Sequence, residues 1–325
     1  MWDTIRLVDI PPVVLAPLAG GPSTPELTAA VAEAGAFAFL AAGYLSADEL
    51  ELRIARTREL TRAPFGVNLF VVEERPVDET ALRAYVDALA GEGLEVGEPR
   101  FDDDALDAKV GVVARAGVPV VSTTFAAPPA ALVERVREVW ATVTTPAEAE
   151  TARDAGATAL VAQGAEAGGH RGSWTDAEPP DLPLHQLVRS VDVGLPLVGA
   201  GGVATREDVV ALLEAGAVAA QVGTAFLLCP EAGTSEPRRR ALAAGGETAV
   251  TRAFTGRRAR GIVNAFMRAH PGAPAAYPQI HHATAPFRAH ARALGDAEVI
   301  NLWAGTAFAQ TEALPAAEVV ARLRP

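Results

Sequence analysis

One local pattern recurs four times along this 325-residue chain and constrains its fold more than any other feature. A helical stretch ends in Ala-Gly and an apolar run follows at once. Glu33-Ala34-Gly35 leads into Ala36 to Leu40, and Arg115-Ala116-Gly117 into Val118 to Val121. Asp154-Ala155-Gly156 leads into Ala157 to Val161, and Glu214-Ala215-Gly216 into Ala217 to Val222. Each reads as a helix closed by a glycine just past its last turn, with a strand directly after it. The runs are apolar on both faces, as strands of a parallel sheet covered by helices must be. Further strand-like runs stand at Val13 to Pro17, Gly66 to Phe70, Val139 to Val143 and Leu195 to Gly199. Thr24-Pro25-Glu26 reads as a capped helix start with proline in the first turn. From Val13 to Gly223 the count is about eight strands with intervening helices, the number of a closed (β/α)8 barrel, an α/β fold of the TIM type. An open doubly wound sheet is the alternative. It wants its Gly-rich loop after the first strand, where Leu18-Ala19-Gly20-Gly21 is only a partial match. The richest glycine loops come late, which favours the barrel.

The pattern changes after Phe226. From about Pro230 to Ala297 the chain is rich in Ala and Arg and shows no long strand-like run. The expected organisation is a barrel built from residues 1–225 together with 298–325, and a smaller helical substrate or lid domain at 226–297. A formal net charge of -12 argues against a nucleic-acid partner. The single cysteine, Cys229, excludes an intramolecular disulfide and reads as a small buried apolar residue. Met1 to Arg6 lacks the charged and apolar regions of a leader, and no apolar run reaches the ~18 residues that cross a bilayer. The expected location is the cytoplasm. Lys109 is the only lysine, so Schiff-base chemistry has few candidates.

Three glycine-rich loops carry the candidate chemistry. Gln163-Gly164-Ala165-Glu166-Ala167-Gly168-Gly169-His170-Arg171-Gly172 follows a buried strand and holds one imidazole. Gly199-Ala200-Gly201-Gly202-Val203 ends the seventh strand, and Gln221-Val222-Gly223-Thr224-Ala225 the eighth. Loops after strands seven and eight form the phosphate site of many such barrels, with backbone N–H groups as donors. Thr224 can add a hydroxyl. Asn68 and Gln163 end strands and can hydrogen-bond a ring of fixed donors and acceptors; the alternatives are a strand-end cap for Asn68 and satisfaction by the loop backbone for Gln163. His170, with an ordinary pKa near ~6.5, suits removal of a proton from an acidic carbon. Glu166 and Arg171 read as a local ion pair or as solvated charges. Trp174 and Trp303 fit either a pocket wall or the core. His281 and His282 are adjacent, so on a helix they do not face one site, and no metal site is expected.

Taken together, the three loops resemble the nitronate monooxygenase family, formerly called 2-nitropropane dioxygenases. Ala16-Pro17-Leu18-Ala19-Gly20 and Phe65-Gly66-Val67-Asn68 match as well, and the resemblance runs from near residue 13 to Trp303-Ala304-Gly305. It implies a barrel that binds FMN non-covalently beneath a smaller helical domain. The implied FMN contacts are Asn68, Gln163, Gly168, Gly169, Gly201, Gly202, Gln221, Val222, Gly223 and Thr224. His170 is the implied catalytic base or substrate-orienting group. The implied reaction oxidises an alkyl nitronate with O2 to a carbonyl compound and nitrite. Partners are then a small nitronate and O2, with no nucleic acid and no membrane, and a homodimer stays open. The chain departs from family members that carry Gly-Gln where it has Gly305-Thr306, and the 226–297 interval supplies no motif to carry over. An FMN-dependent NAD(P)H reductase of quinones or enoyl thioesters on the same barrel is the alternative. The enoyl reductases tend to have Glu where this chain has Gln163. A flavin-binding protein without turnover is a third reading, against which His170 counts.

Overall fold

The computed structural model of the chain describes residues 10–176 and 181–325. The segment read for a leader, Met1 to Arg6, lies outside the described residues. The strands, in chain order, are β1 (Val13–Leu15), β2 (Phe37–Ala41), β3 (Gly66–Phe70), β4 (Val120–Thr124), β5 (Glu138–Val143) and β6 (Ala159–Gln163), then β7 (Gly169–His170), β8 (Leu197–Ala200), β9 (Ala219–Val222), β10 (Thr248–Thr251) and β11 (Ala259–Ile262). Eight of them, β1 to β6 with β8 and β9, close into a parallel barrel in chain order, and β9 pairs back onto β1 through Val14↔Gln221. The fold is the expected (β/α)8 barrel.

The recurrent Ala-Gly joints explain why the barrel forms. In all four the glycine is left-handed, with φ of 78° at Gly35, 59° at Gly117, 92° at Gly156 and 109° at Gly216. The residue after each glycine donates its N–H back to the helix: Ala36 to Val31 O, Val118 to Val113 O, Ala157 to Ala152 O and Ala217 to Leu212 O, at 3.0–3.2 Å. This is the six-to-one bond that closes a helix and turns the chain back. Each joint therefore delivers the next strand in the same direction as the last.

Inside the barrel, Val14, Phe37, Phe39, Trp140, Val161 and Val198 form a packed plug. Phe39 meets Trp140 edge-on, centroids 5.2 Å apart. The plug fills the lower barrel and leaves chemistry only at the C-terminal ends of the strands. Cys229 is buried in the layer between strands and helices. Among the described residues, no helix is long and apolar enough to cross a membrane.

The interval expected to be helical needs a correction. It holds the helices Glu236–Ala244, Ala265–Ala269 and Gln279–Leu294, but also the antiparallel hairpin β10–β11. Each of its strands has four residues, and every residue of β10 is half-buried, so neither shows as an apolar run. β11 also pairs with β7, His170 opposite Ala259. The stretch carrying His170 is thus not a free loop. It is the edge strand of a small sheet, fixed by backbone pairing to residues about 90 positions away. The C-terminal helix Ala316–Leu323 buries Val319, Val320 and Leu323 in the layer that also holds Leu27 and Val31 of the first helix.

Candidate active site

A cavity of about 430 Å3 opens at the C-terminal end of the barrel. That size falls in the roughly 300–1,000 Å3 range of small-molecule and cofactor sites. Asn68, Gln163, Gly168, Gly169, His170, Gly201, Gly202, Gln221, Val222, Gly223 and Thr224 all line it. Strand register explains the convergence: Gln163 of β6 lies opposite Ala200 of β8, and Ala200 opposite Gln221 of β9. Three barrel strands end in one layer.

The individual side chains do different things there. Asn68 Nδ2 donates to Ser122 Oγ at 2.9 Å and Thr124 Oγ1 at 3.1 Å, which fixes its amide. Gln163 spends both ends of its amide on the loop. Nε2 donates to His170 O at 3.1 Å, and Oε1 accepts from Gly172 N at 2.7 Å. Gln221 differs: its Oε1 is buried with no donor among the described residues. Thr224 Oγ1 accepts from Gly305 N at 3.0 Å, leaving its hydroxyl proton available. Gly168 is a glycine because the backbone of Ala304 and Gly305 runs against it; a Cβ there would stand 2.4 Å from that backbone. Gly169 has φ 76°, and a Cβ on it would meet nothing within 4 Å, so that face is open.

His170 sits where four rings meet. Phe125, Tyr277 and Trp303 have centroids 5.8, 5.7 and 5.6 Å from its own. Its Nε2 lies 2.9 Å from Thr255 Oγ1, and that hydroxyl donates to Arg257 O at 3.2 Å. The Thr255 proton being so committed, the imidazole carries its own proton on Nε2 and its lone pair on Nδ1. Burial first, then Arg257 and Arg288, push the His170 pKa down to about 3. At neutral pH it is a neutral imidazole.

Positive charge dominates the surroundings. Arg238, Arg288 and Arg292 line the cavity, and no Asp or Glu does among the described residues. Arg238 and Arg288 are buried, and among the described residues neither has a carboxylate within salt-bridge distance. Burial pushes both guanidiniums down to about 10. Arg171, by contrast, is 1% exposed and paired with Asp181 at 3.3 Å; it is a staple of the loop. Glu166 accepts from Leu184 N at 3.0 Å and caps the helix Leu184–Ser190. Trp174 donates Nε1 to Thr142 O and packs in the outer layer, whereas Trp303 lines the cavity.

Several cavity residues carried no signal in sequence. Tyr44 and Phe125 are left-handed non-glycine residues, φ 70° and 89°, a conformation that side chains rarely announce. His281, Ala285, Arg288, Ala289 and Arg292 line the cavity along one stripe of the helix Gln279–Leu294. Their spacing of four, seven, eight and eleven was the available clue. His282 points away from that stripe, to Asp102 at 3.6 Å.

The lowered histidines predict an acid response. Above about pH 6.5 folded and unfolded chains both hold neutral imidazoles, and nothing is gained. Below it the unfolded chain takes up protons that the half-buried His170 and His281 refuse, so stability falls from about 6.5 towards about 3. The urea midpoint should decline between pH 6.5 and 5, and decline less in a His170→Asn variant. Equal slopes in the two proteins would contradict the assignment.

A model of the nitronate monooxygenase family matches residues 3–325. A protein of Pseudomonas aeruginosa described as nitronate monooxygenase is 37% identical, covering 96% of this chain and 95% of its own. The solved structure of nitroalkane oxidase from Streptomyces ansochromogenes is 44% identical, with a TM-score of 0.94, covering 98% of this chain and 96% of that one. FabK from Thermotoga maritima is 26% identical, with a TM-score of 0.76, over 98% of this chain and 95% of that one.

Proposed function

This chain belongs to the nitronate monooxygenase family, and on that premise we propose that it binds FMN at the C-terminal end of its barrel and oxidises alkyl nitronates with O2 to a carbonyl compound and nitrite. It is an oxidoreductase, and its site takes a small molecule. The observation that carries the finer reading is the charge of the cavity. Buried guanidiniums without carboxylate partners are costly unless an anion meets them. A phosphate monoester and a nitronate are two such anions, and both belong to the proposed reaction.

The donor set fits the cofactor. The backbone of Gly201, Gly202 and Gly223 with the Thr224 hydroxyl offers phosphate donors at the ends of the barrel's seventh and eighth strands, β8 and β9. The unpartnered Gln221 Oε1 accepts from a ring N–H. FMN bound there supplies the electron acceptor and the means of reacting with O2. The chain's own residues do the rest. Arg288 and its neighbours hold the anion, and the rings of Phe125, Tyr277 and Trp303 keep water from His170. The His170 Nδ1 lone pair faces the substrate. A neutral imidazole with its pKa held low is a weak base, so the pocket suits a nitronate that has already lost its proton better than a neutral nitroalkane.

The test is direct. Purified protein should release FMN, not FAD, on denaturation. Anaerobic propyl nitronate should remove the oxidised-flavin absorbance, while NADPH leaves it unchanged. Bleaching by NADPH and not by the nitronate would replace this reading with the reductase one.

A further inference from the structure

We propose that His281, held by Arg288, is a second substrate-contacting imidazole: its Nε2–H, with an N–H of Arg288, binds the oxygens of the nitronate head group. The inference rests on the nitronate reading above and assigns residues that the glycine loops do not contain. Arg288 has only donors. Its Nη2 lies 3.4 Å from His281 Nδ1 and donates to His281 O at 2.9 Å. A contact between guanidinium and imidazole nitrogen places the lone pair on Nδ1, and therefore the proton on Nε2. That N–H has no acceptor among the described residues, and His281 lines the cavity. The two histidines are thus complementary. His170 presents a lone pair and His281 a donor, and both lie against the Tyr277 ring, centroids 5.7 and 6.5 Å away.

The donor is rigidly placed. The His281 ring stacks on Tyr44 at 4.1 Å and 5°. Arg288 is anchored by Thr284 and by Asn301 Oδ1 at 3.1 Å, which occupies one of the two Nη1 protons and leaves the other for a ligand. Nothing acidic competes for either donor, because no carboxylate lines the cavity among the described residues. A planar anion with two or three oxygens on one atom, as in a nitronate, uses both donors together.

His281→Phe keeps a ring to stack on Tyr44 and removes the N–H; His281→Gln keeps an N–H donor. The cofactor-loaded proteins should be titrated calorimetrically with nitrate, a planar oxyanion that is not oxidised, and assayed with propyl nitronate. In His281→Phe the nitrate Kd and the nitronate KM should both rise about ten- to hundredfold, the range for a hydrogen bond to a charged partner. kcat should change less, the flavin should stay bound, and His281→Gln should recover most of the loss. Unchanged nitrate and nitronate affinities in His281→Phe would overturn the proposal, as would equal losses in the Phe and Gln variants. If the wild type binds nitrate in a His281-dependent way but turns over no nitronate, the anion site stands and the proposed reaction fails.

Discussion

Replacing Lys109 by methionine is expected to cost the fold about 3–5 kcal/mol, the range for removing one partner of a buried pair. The only lysine of the chain is 1% exposed, and its Nζ lies 2.7 Å from Asp104 Oδ2 and 3.0 Å from Ala42 O. Asp104 Oδ1 in turn accepts from Tyr44 N at 2.8 Å. One ion pair therefore grips the segment after β2 at two backbone points. Both sides of the contact are strained: Tyr44, Asp104 and Ala105 have φ of 70°, 61° and 51°, and left-handed backbone is unfavourable for each. Burial already raises the Asp104 carboxyl despite Lys109 beside it. Without the ammonium it takes up a proton rather than stay charged, which places the loss toward the lower end of the range. Against a total stability of roughly 5–15 kcal/mol the change is large. The urea midpoint should fall steeply in Lys109→Met and partly recover in Lys109→Met with Asp104→Asn, where the Tyr44 acceptor survives and no carboxyl is stranded. A loss under about 1 kcal/mol, or no recovery in the double variant, would show that the pair does not hold this segment.

What sequence could show here divides along the range of the interactions. The Ala-Gly joints were legible because the helix-closing bond is made within six residues, so four local signatures announce four βα units. The eight-strand count followed from them, as did the late glycine loops. The β7–β11 pairing was not legible, since it joins a two-residue strand to a four-residue one about 90 positions on, and neither is long enough to show a period. Lys109 entered the sequence reading only as the sole lysine, because only the fold brings it to Asp104 and Ala42. Gly168 was implied as a cofactor contact and lines the cavity, but the backbone of Ala304 and Gly305 that runs against it had no local sign. Gln163 was read as a cofactor ligand or a loop brace, and the loop holds both ends of its amide. In each case the residue type was informative, but its partner lay beyond the reach of local pattern.

The His170→Asn variant should lower kcat/KM for a neutral nitroalkane by about 10²–10⁴-fold, the usual worth of positioned proton transfer. FMN should remain bound, because the backbone pairing of His170 with Ala259 and the N–H groups of the glycine loops do not depend on the imidazole. The pre-formed nitronate should suffer much less, since it needs no base. The wild type should already prefer the nitronate, because a pKa held down to about 3 by burial and by Arg257 and Arg288 leaves little driving force for taking a proton. An anion arriving beside His170 opposes that depression, and Arg288, which lines the cavity, loses part of its effect once it is paired with the anion. Basicity and substrate charge then meet at Arg288: a group that makes the cavity attractive to a nitronate adds to the burial that makes its histidine a poor base for a nitroalkane. Equal losses with both substrates would assign His170 to orienting the anion rather than to moving a proton. No loss with either, flavin still bound, would leave it as a wall of the pocket.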